Sequence, residues 1–335
     1  MSIVMTGGGT GGHLTIIKAV KEELLDEELI YIGSTKGQDR AWFGEDKQFK
    51  ETYFLPTQGV VNQGFLGKIK SISMLVKATI KARKILKKAN AKVVFCVGGF
   101  SAAPTSFAAK ILGIPLVIHE QNAAIGSLNK LLRSYSTAFI SSYEEDSPIK
   151  AYPIKKEYFE KTRIRDEVKT IIFLGGSQGA QAINKLALEL APILKEKNIK
   201  IIHQAGERNI DEVKKSYEKL DIEAKVFGFT TTLSDYMNQA DFAIARSGAS
   251  TLWELSAMAC PTLYIPYPYA AGDHQFYNAK FLVDQDVAWI MRESEIEIDK
   301  VVALLDENMQ KKSEKLQQLI ERDGALQISK LLKNL

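Results

Sequence analysis

Cysteine is nearly missing from this 335-residue chain: only Cys96 and Cys260 occur. Both sit in apolar settings, KVVFCVGG and ELSAMACP, without CxxC or Cys/His ligand spacing. That excludes a disulfide framework and a cysteine zinc site, and leaves buried free thiols in a reducing compartment as the expectation. Long hydrophobic runs are lacking as well. The longest weakly charged stretch, 93–118, is interrupted by Gly98, Gly99, Pro104, Lys110 and Pro115 and reads as strand, turn, helix and strand rather than a membrane span. Neither a basic n-region nor an apolar h-region precedes the glycine-rich stretch that starts at Gly7, so no secretory signal is expected. Histidine is scarce, with 4 residues and no HExxH pair to hold zinc. No Asp-x-Asp stands at a strand end, so no metal ion is expected to be required, and no cofactor is expected.

Acidic residues are missing altogether from Thr52 to His119, although the whole chain carries a net charge of only +4. At about 100° per residue, Lys70, Lys77, Lys81, Lys84 and Lys88 form one helical stripe there, and Phe65, Ile69, Ile72, Val76 and Ile80 form another beside it. Two readings stay open for this basic amphipathic helix. It either contacts an anionic membrane surface, or it is a surface helix with its apolar stripe in the core. The aromatic and arginine interleaving of a strand-binding groove is absent, so no nucleic-acid partner is expected.

What is present is a regular alternation of short apolar strands and helical patterns, in a chain long enough for two domains. Strands are expected at Ser2 to Met5, Leu29 to Gly33, Val93 to Val97, Leu116 to His119 and Ala138 to Ser141. The scheme repeats at Thr170 to Leu174, Lys200 to His203, Lys225 to Phe227, Phe242 to Ala245, Thr262 to Ile265 and Ala288 to Met291. Strands spaced by crossover helices build parallel sheets covered on both faces, so the fold class is α/β, with two doubly wound Rossmann-like domains facing across a cleft. The boundary is placed in AYPIKK, giving domains of 1–153 and 154–321.

Two glycine-rich loops open the halves, TGGGTGGH after the first strand and GGSQGA after Thr170 to Leu174. Glycines let backbone N–H groups approach a ligand at a helix N-terminus, where the dipole favours negative charge, so a phosphate or pyrophosphate is the first expectation. Gly7, Gly9 and Gly12 satisfy GxGxxG, yet the second strand ends Ile32-Gly33-Ser34-Thr35 without the acid that a nicotinamide cofactor's ribose needs. Neither loop ends in the GK[ST] of a P-loop. Four further segments place polar groups at strand ends: GGFSAAP, HEQNAAIGSLN, ARSGASTLWE and PYPYAAGDHQFYNA. In the third, Glu254 stands a turn into a helix, where a carboxylate can accept both hydroxyls of a ribose while the helix start faces a diphosphate; favouring its own helix dipole is the plainer role.

TGGGTGGH, GGF-S, HEQN, GGSQGA, RSGAST-WE and DHQ-YNA, in this order and spacing, closely resemble the MurG family over nearly the whole chain. These are enzymes that add N-acetylglucosamine to an undecaprenyl-pyrophosphoryl muramyl-peptide. The resemblance implies a GT-B architecture, with a last helix within 322–335 packing back on an N-terminal acceptor and membrane domain. It implies UDP-N-acetylglucosamine as donor, held mainly by the second domain, an undecaprenyl-linked muramyl-peptide acceptor, other cell-wall enzymes as partners, and a peripheral place on the cytoplasmic face of the plasma membrane. Carried over by position, Thr10, Gly11, Gly12 and Asn122 border sugar and acceptor, and Ser177 meets the diphosphate. Thr230 lies by the uracil, Ala249, Ser250, Thr251, Leu252, Trp253 and Glu254 wrap diphosphate and ribose, and Gln275 with Asn278 hold sugar hydroxyls. Lys155 stands where the family usually has an arginine, in YPIK rather than an NPVR-like stretch; lysine keeps the charge and loses the bidentate fork. Leu14-Thr15-Ile16 replaces a usual proline region, and Phe100 a common tyrosine.

The implied reaction is attack of a muramyl 4-hydroxyl on C1 of the donor sugar with inversion and loss of UDP. A sugar hydroxyl needs a base; His13 is the first choice, since imidazole titrates near neutral pH, and Glu120 the second. A sugar-nucleotide epimerase or another lipid glycosyltransferase of the same fold, and a non-catalytic nucleotide-sugar sensor, remain the alternatives.

Overall fold

A computed structural model describes residues 1–58, 65–176 and 179–335, with 65–69 described as backbone only. The chain forms two compact units, Met1–Lys155 with Arg322–Leu335, and Lys156–Glu321.

The first unit holds strands β1 (Ser2–Thr6), β2 (Leu29–Ser34), β3 (Phe49–Leu55), β4 (Ala91–Cys96), β5 (Leu116–Glu120) and β6 (Ala138–Ser141). Its helices are α1 (Gly11–Glu22), α2 (Asp39–Phe43), α3 (Phe65–Lys88), α4 (Ala103–Leu112) and α5 (Ser127–Leu132). The second unit comprises α6 (Lys156–Glu160), β7 (Thr170–Leu174), α7 (Gln181–Glu196), β8 (Lys200–Gln204), α8 (Ile210–Lys219), β9 (Ala224–Phe227), α9 (Leu233–Gln239), β10 (Phe242–Ala245), α10 (Ala249–Ala257), β11 (Thr262–Tyr264), α11 (His274–Val283), β12 (Trp289–Ile290), α12 (Ile298–Leu305) and α13 (Gln310–Leu319). The last helix, α14 (Gly324–Lys333), belongs to the first unit, where it packs on α1.

Both sheets are parallel, in the orders β3-β2-β1-β4-β5-β6 and β12-β11-β10-β7-β8-β9. Counted from its own first strand, each has the Rossmann order 3-2-1-4-5-6, which reverses direction between its first and fourth strands. Strands buried on both faces explain why β1, β7 and β10 read as unbroken apolar runs. β3, an edge strand, escapes the sequence reading because FKETYFL buries only Phe49 and Leu55 fully and carries Lys50 and Glu51 between them.

In α3 the buried stripe is Ala78, Ala82, Ile85 and Leu86, small enough to let α4 come close. Ile72, Val76 and Ile80 are instead about half exposed, at 52%, 52% and 55%. The apolar stripe noted in the sequence is therefore outside the core; Phe65 and Ile69 fall among the side chains not described. Among the described residues, no helix is long and apolar enough to cross a membrane.

His203 on β8 is fully buried between Tyr217 OH and Asn184 Oδ1, each 3.0 Å from a ring nitrogen, so the neutral ring is satisfied on both sides. Burial pushes it down to about 4. His119 on β5 is fully enclosed against the Tyr152 ring, and burial foremost, then the charge of His13, pushes it down to about 3. A neutral histidine in the folded state means that acid favours the unfolded chain, which alone takes the proton. The contribution is complete above the ordinary value near 6.5 and is lost as pH falls through that value toward 4 and 3. Urea unfolding at pH 7.5 and pH 5 should therefore show each unit losing about 2 kcal/mol on acidification. Unchanged midpoints would contradict this account.

Candidate active site

Four of the sequence motifs fall at the two switch points. TGGGTGGH follows β1 and GGFSAAP follows β4; GGSQGA follows β7 and ARSG follows β10. These are the strand pairs around which each sheet reverses order, and ligands of open α/β sheets bind outside the carboxyl ends of the strands there.

In the first unit the glycine loop is braced from below. Asp39, fully buried, accepts Gly9 N–H at 2.6 Å and Ser34 N–H at 2.7 Å, and Gly8 N–H donates to Gly98 O at 3.3 Å. Gly8 has φ +152°, and a Cβ there would lie 2.4 Å from the Asp39 carboxylate, so only glycine fits. This corrects the expectation that the whole loop offers its amides to a phosphate: those of Gly8 and Gly9 are spent inside the protein. Thr10, Gly11 and Gly12 stand at the start of α1, which has no side-chain cap and no acid in its first turn.

His13 follows at once on α1. Its Nδ1 lies 3.0 Å from Thr10 Oγ1, and Gln121 Nε2 lies 3.1 Å from its Nε2. Gln121 Nε2 also stands 3.4 Å from Nδ1; in the tautomer that donates Nδ1–H to Thr10 Oγ1, Nε2 carries the lone pair that a base requires. Gln121, a positioning group that the sequence reading passed over, was visible as the third residue of HEQN.

Glu120 is placed otherwise than a base would be. It is 2% exposed, and its oxygens accept Asn122 N–H at 3.0 Å, Gly126 N–H at 2.9 Å and Asn129 Nδ2 at 2.9 Å. A carboxylate so occupied shapes the 121–129 loop, and the Asn122 side chain turns back toward it at 3.5 Å. Lys155 lies 4.0 Å from Glu22 and beside Lys18 of α1, whose pKa is lowered by burial first and by Lys155 next.

In the second unit, Gly179 (φ +78°) lies so near Ala205 O that a Cβ would stand 2.6 Å from it. Ser177, expected at the diphosphate, and Gln178 lie outside the described residues. The start of α10 has the features that suit an anion. Gly248 caps it without a side chain, no acid stands in its first turn, and Ser247 Oγ is buried with no partner among the described residues. Arg246, ion-paired with Glu293, donates to Ile265 O at 3.0 Å and Pro266 O at 3.1 Å, pinning the loop that follows β11.

Along α10, Ala249 is buried at the first turn and Ser250, Thr251 and Glu254 are partly exposed. Leu252 and Trp253, at 0% and 5% exposure, turn their side chains to the core, Trp253 against Phe281, because they fall on the helix's inner side, so any contact they make with a donor would be through backbone. Asn278 is also fully buried and donates to Ser247 O at 3.2 Å, so it holds the ARSG turn rather than presenting itself to solvent. Gln275 remains partly exposed, accepting Tyr267 N–H at 3.0 Å. Thr230 lies in the turn after β9, where its hydroxyl accepts Thr232 N–H at 3.1 Å.

Comparison with known proteins agrees with this layout. Residues 3–141 match the glycosyltransferase family 28 N-terminal domain and residues 170–334 the glycosyltransferase family 28 C-terminal domain. The chain is 69% identical over 334 residues, 100% of its length and 99% of the relative's, to a UDP-N-acetylglucosamine–N-acetylmuramyl-(pentapeptide) pyrophosphoryl-undecaprenol N-acetylglucosamine transferase of Sulfurovum sp.. The transferase of the same name from Wolinella succinogenes is 51% identical, with 97% of each chain covered. The crystal structure of Acinetobacter baumannii MurG superimposes with a TM-score of 0.81 at 26% identity, covering 100% of this chain and 99% of that one. A putative UDP-N-acetylglucosamine 2-epimerase from Listeria monocytogenes shares only the fold, with a TM-score of 0.65 at 9% identity over 99% and 96% of the two chains. Two Rossmann-like units of the GT-B class are thus common to transferases and epimerases, and sequence identity separates them. The chain belongs to glycosyltransferase family 28 and, within it, to the MurG family.

Proposed function

We infer that this protein is an inverting hexosyltransferase that moves N-acetylglucosamine from its UDP donor to the 4-hydroxyl of an undecaprenyl-pyrophosphoryl muramyl-peptide, a step of peptidoglycan synthesis. The 69% identity along the full chain carries the reading. The second unit, 154–321 in the sequence division, takes the donor. There the uncapped start of α10 meets the diphosphate, Ser250 and Thr251 flank it, Glu254 accepts the ribose hydroxyls, Thr230 borders the uracil and Gln275 the sugar. The first unit takes the acceptor, with Thr10, Gly11, Gly12 and Asn122 around it and Lys155 contributing charge.

His13 Nε2 removes the proton from the muramyl 4-hydroxyl as that oxygen bonds to C1; the C1–O bond to the β-phosphate breaks, and its electron pair leaves with UDP. Backbone dipoles at the start of α10, already oriented before reaction, stabilise that growing charge. Glu120 acts indirectly, by holding the loop that carries Gln121 and Asn122.

A lipid-linked acceptor has to be met at a membrane. The exposed Ile72, Val76 and Ile80 beside Lys77, Lys81 and Lys84 on α3 favour docking on an anionic surface over the core role. Each lysine near such a surface is worth about 1 kcal/mol. We place the protein peripherally on the cytoplasmic face, in reach of other cell-wall enzymes.

Labelled transfer to acceptor embedded in anionic vesicles tests both parts. Wild type should transfer, and the triple variant Ile72→Ser/Val76→Ser/Ile80→Ser should bind vesicles at least about tenfold more weakly while using a water-soluble acceptor analogue normally. Donor binding without transfer to either acceptor would refute the transferase reading; vesicle binding unchanged in the variant would refute the docking face.

A further inference from the structure

Arg292 and Glu293 lie outside every motif of the site. They follow β12 and enter the single 3₁₀ turn Glu293–Glu295, and from there they reach both ends of the loop that joins β11 to α11. Glu293 is ion-paired with Arg246, whose guanidinium donates to Ile265 O at 3.0 Å and Pro266 O at 3.1 Å, the first carbonyls of that loop. Arg292 grips the far end. Its Nη2 donates to Asp273 Oδ2 at 2.6 Å and its Nη1 to Oδ1 at 3.4 Å, and the guanidinium lies over the Phe276 ring, 4.2 Å from its centroid. Asp273 stands at φ +53° directly after Gly272 at φ +61°, a conformation that an L side chain keeps only where its surroundings hold it.

Gln275 falls between the two residues that Arg292 holds. Its Oε1 accepts Tyr267 N–H at 3.0 Å, from the near end of the same loop. A backbone N–H can only donate, so the amide oxygen faces Tyr267 and the NH2 end is turned away from it. The direction of those two donors depends on where the loop places Tyr267 and on where α11 begins, and the two ion pairs fix one each. Neither pair is deep in the fold, since the side chains of Glu293 and Asp273 are 31% and 33% exposed. Ion pairs so placed contribute little to overall stability, which leaves local geometry as their effect. We infer that Arg292 and Glu293 are positioning residues for recognition of the donor's sugar: from one short turn they clasp both ends of the 265–275 loop and so set which hydroxyl arrangement the Gln275 amide can meet. The inference rests on the reading of Gln275 as a ligand of the sugar hydroxyls.

Arg292→Ala and Glu293→Ala each open one side of the clasp. Each should raise the KM for UDP-N-acetylglucosamine about three- to tenfold, with kcat within about twofold of wild type. The preference in kcat/KM over UDP-N-acetylgalactosamine, which differs at one hydroxyl, should fall by a similar factor. The competitive Ki of UDP, which lacks that sugar, should stay within about twofold, a pattern that a general loss of packing would not give. In a Gln275→Ala background neither substitution should add to the loss. Equal weakening of UDP and the UDP-sugar, or additive losses in the double variants, would overturn the positioning role. If Gln275→Ala leaves both the UDP-sugar KM and the preference between sugars intact, the reading of Gln275 falls. If Gln275→Ala weakens the UDP-sugar but Arg292→Ala and Glu293→Ala do not, only the clasp falls.

Discussion

Alanine in place of His13 is expected to lower kcat by about 10²- to 10⁴-fold, the usual contribution of a general base, while donor KM stays near the wild-type value. That range corresponds to about 3–5.5 kcal/mol of transition-state stabilisation. The expectation follows from the ring's setting. Thr10 Oγ1 at 3.0 Å fixes one nitrogen and orients the other, which in the unliganded protein faces the Gln121 amide at 3.1 Å. An acceptor hydroxyl must take the place of that amide, so Gln121→Leu should cost far less than His13→Ala. His13→Gln retains polarity without basicity and should fall with alanine; a glutamine variant near wild-type activity, or an alanine variant within about tenfold, would remove His13 from the chemistry and leave it a purely positional role.

The largest expected effect on stability belongs to Arg165. Its guanidinium is fully buried in the second unit and donates to four backbone carbonyls: Ala240 at 2.8 Å, Arg163 at 2.7 Å, Met237 at 3.4 Å, and Met258. Three of these carbonyls lie at the ends of α9 and α10; Met237 O also accepts Ala240 N–H at 3.2 Å and Ala240 O also accepts Arg163 Nη2 at 2.9 Å, so Met258 O depends most on Arg165. Its own N–H is received by Ser313 Oγ at 3.1 Å, tying in α13. Arg165→Met should cost about 3–5 kcal/mol, because stranded buried acceptors each lose about 1–3 kcal/mol. Arg165→Lys, which can reach fewer carbonyls, should lose less. Urea unfolding followed through Trp253 and Trp289 reports this unit, while Trp42 reports the other. A loss in Arg165→Met below about 1 kcal/mol would show that water or relaxation satisfies those carbonyls.

Much of the fold was legible because parallel strands buried on both faces must be largely apolar, as in β1, β7 and β10. β3 was not, since an edge strand carries Lys50 and Glu51 in the open. The periodicity of α3 revealed its stripes but not which one meets α4; alanines decide that by allowing close approach, a property of the partner rather than of the pattern. At the site, glycines and the RSG turn were legible as helix starts aimed at an anion. The bracing acid Asp39 was not, because it reaches back 30 residues to Gly9, and Gln121 reaches His13 across 108. The inward turn of the Leu252, Trp253 and Asn278 side chains was not legible from their place in a motif, because helix geometry decides it.

The return of α14 to α1 bears on how the chain is made. The first unit is interrupted at Lys155 and resumes at Arg322, and α14 begins hard against the carbonyls of Ala151 and Tyr152, where a Cβ on Gly324 would lie 2.5 Å from Ala151 O. On the ribosome, the second unit can complete itself while the first still lacks a helix, a wait of roughly 10–30 s at ordinary elongation rates. During that interval the apolar face of α1 that α14 will cover is open to chaperones and to other nascent chains. A nonsense mutation close to the 3′ end would therefore injure the part of the protein that was translated first.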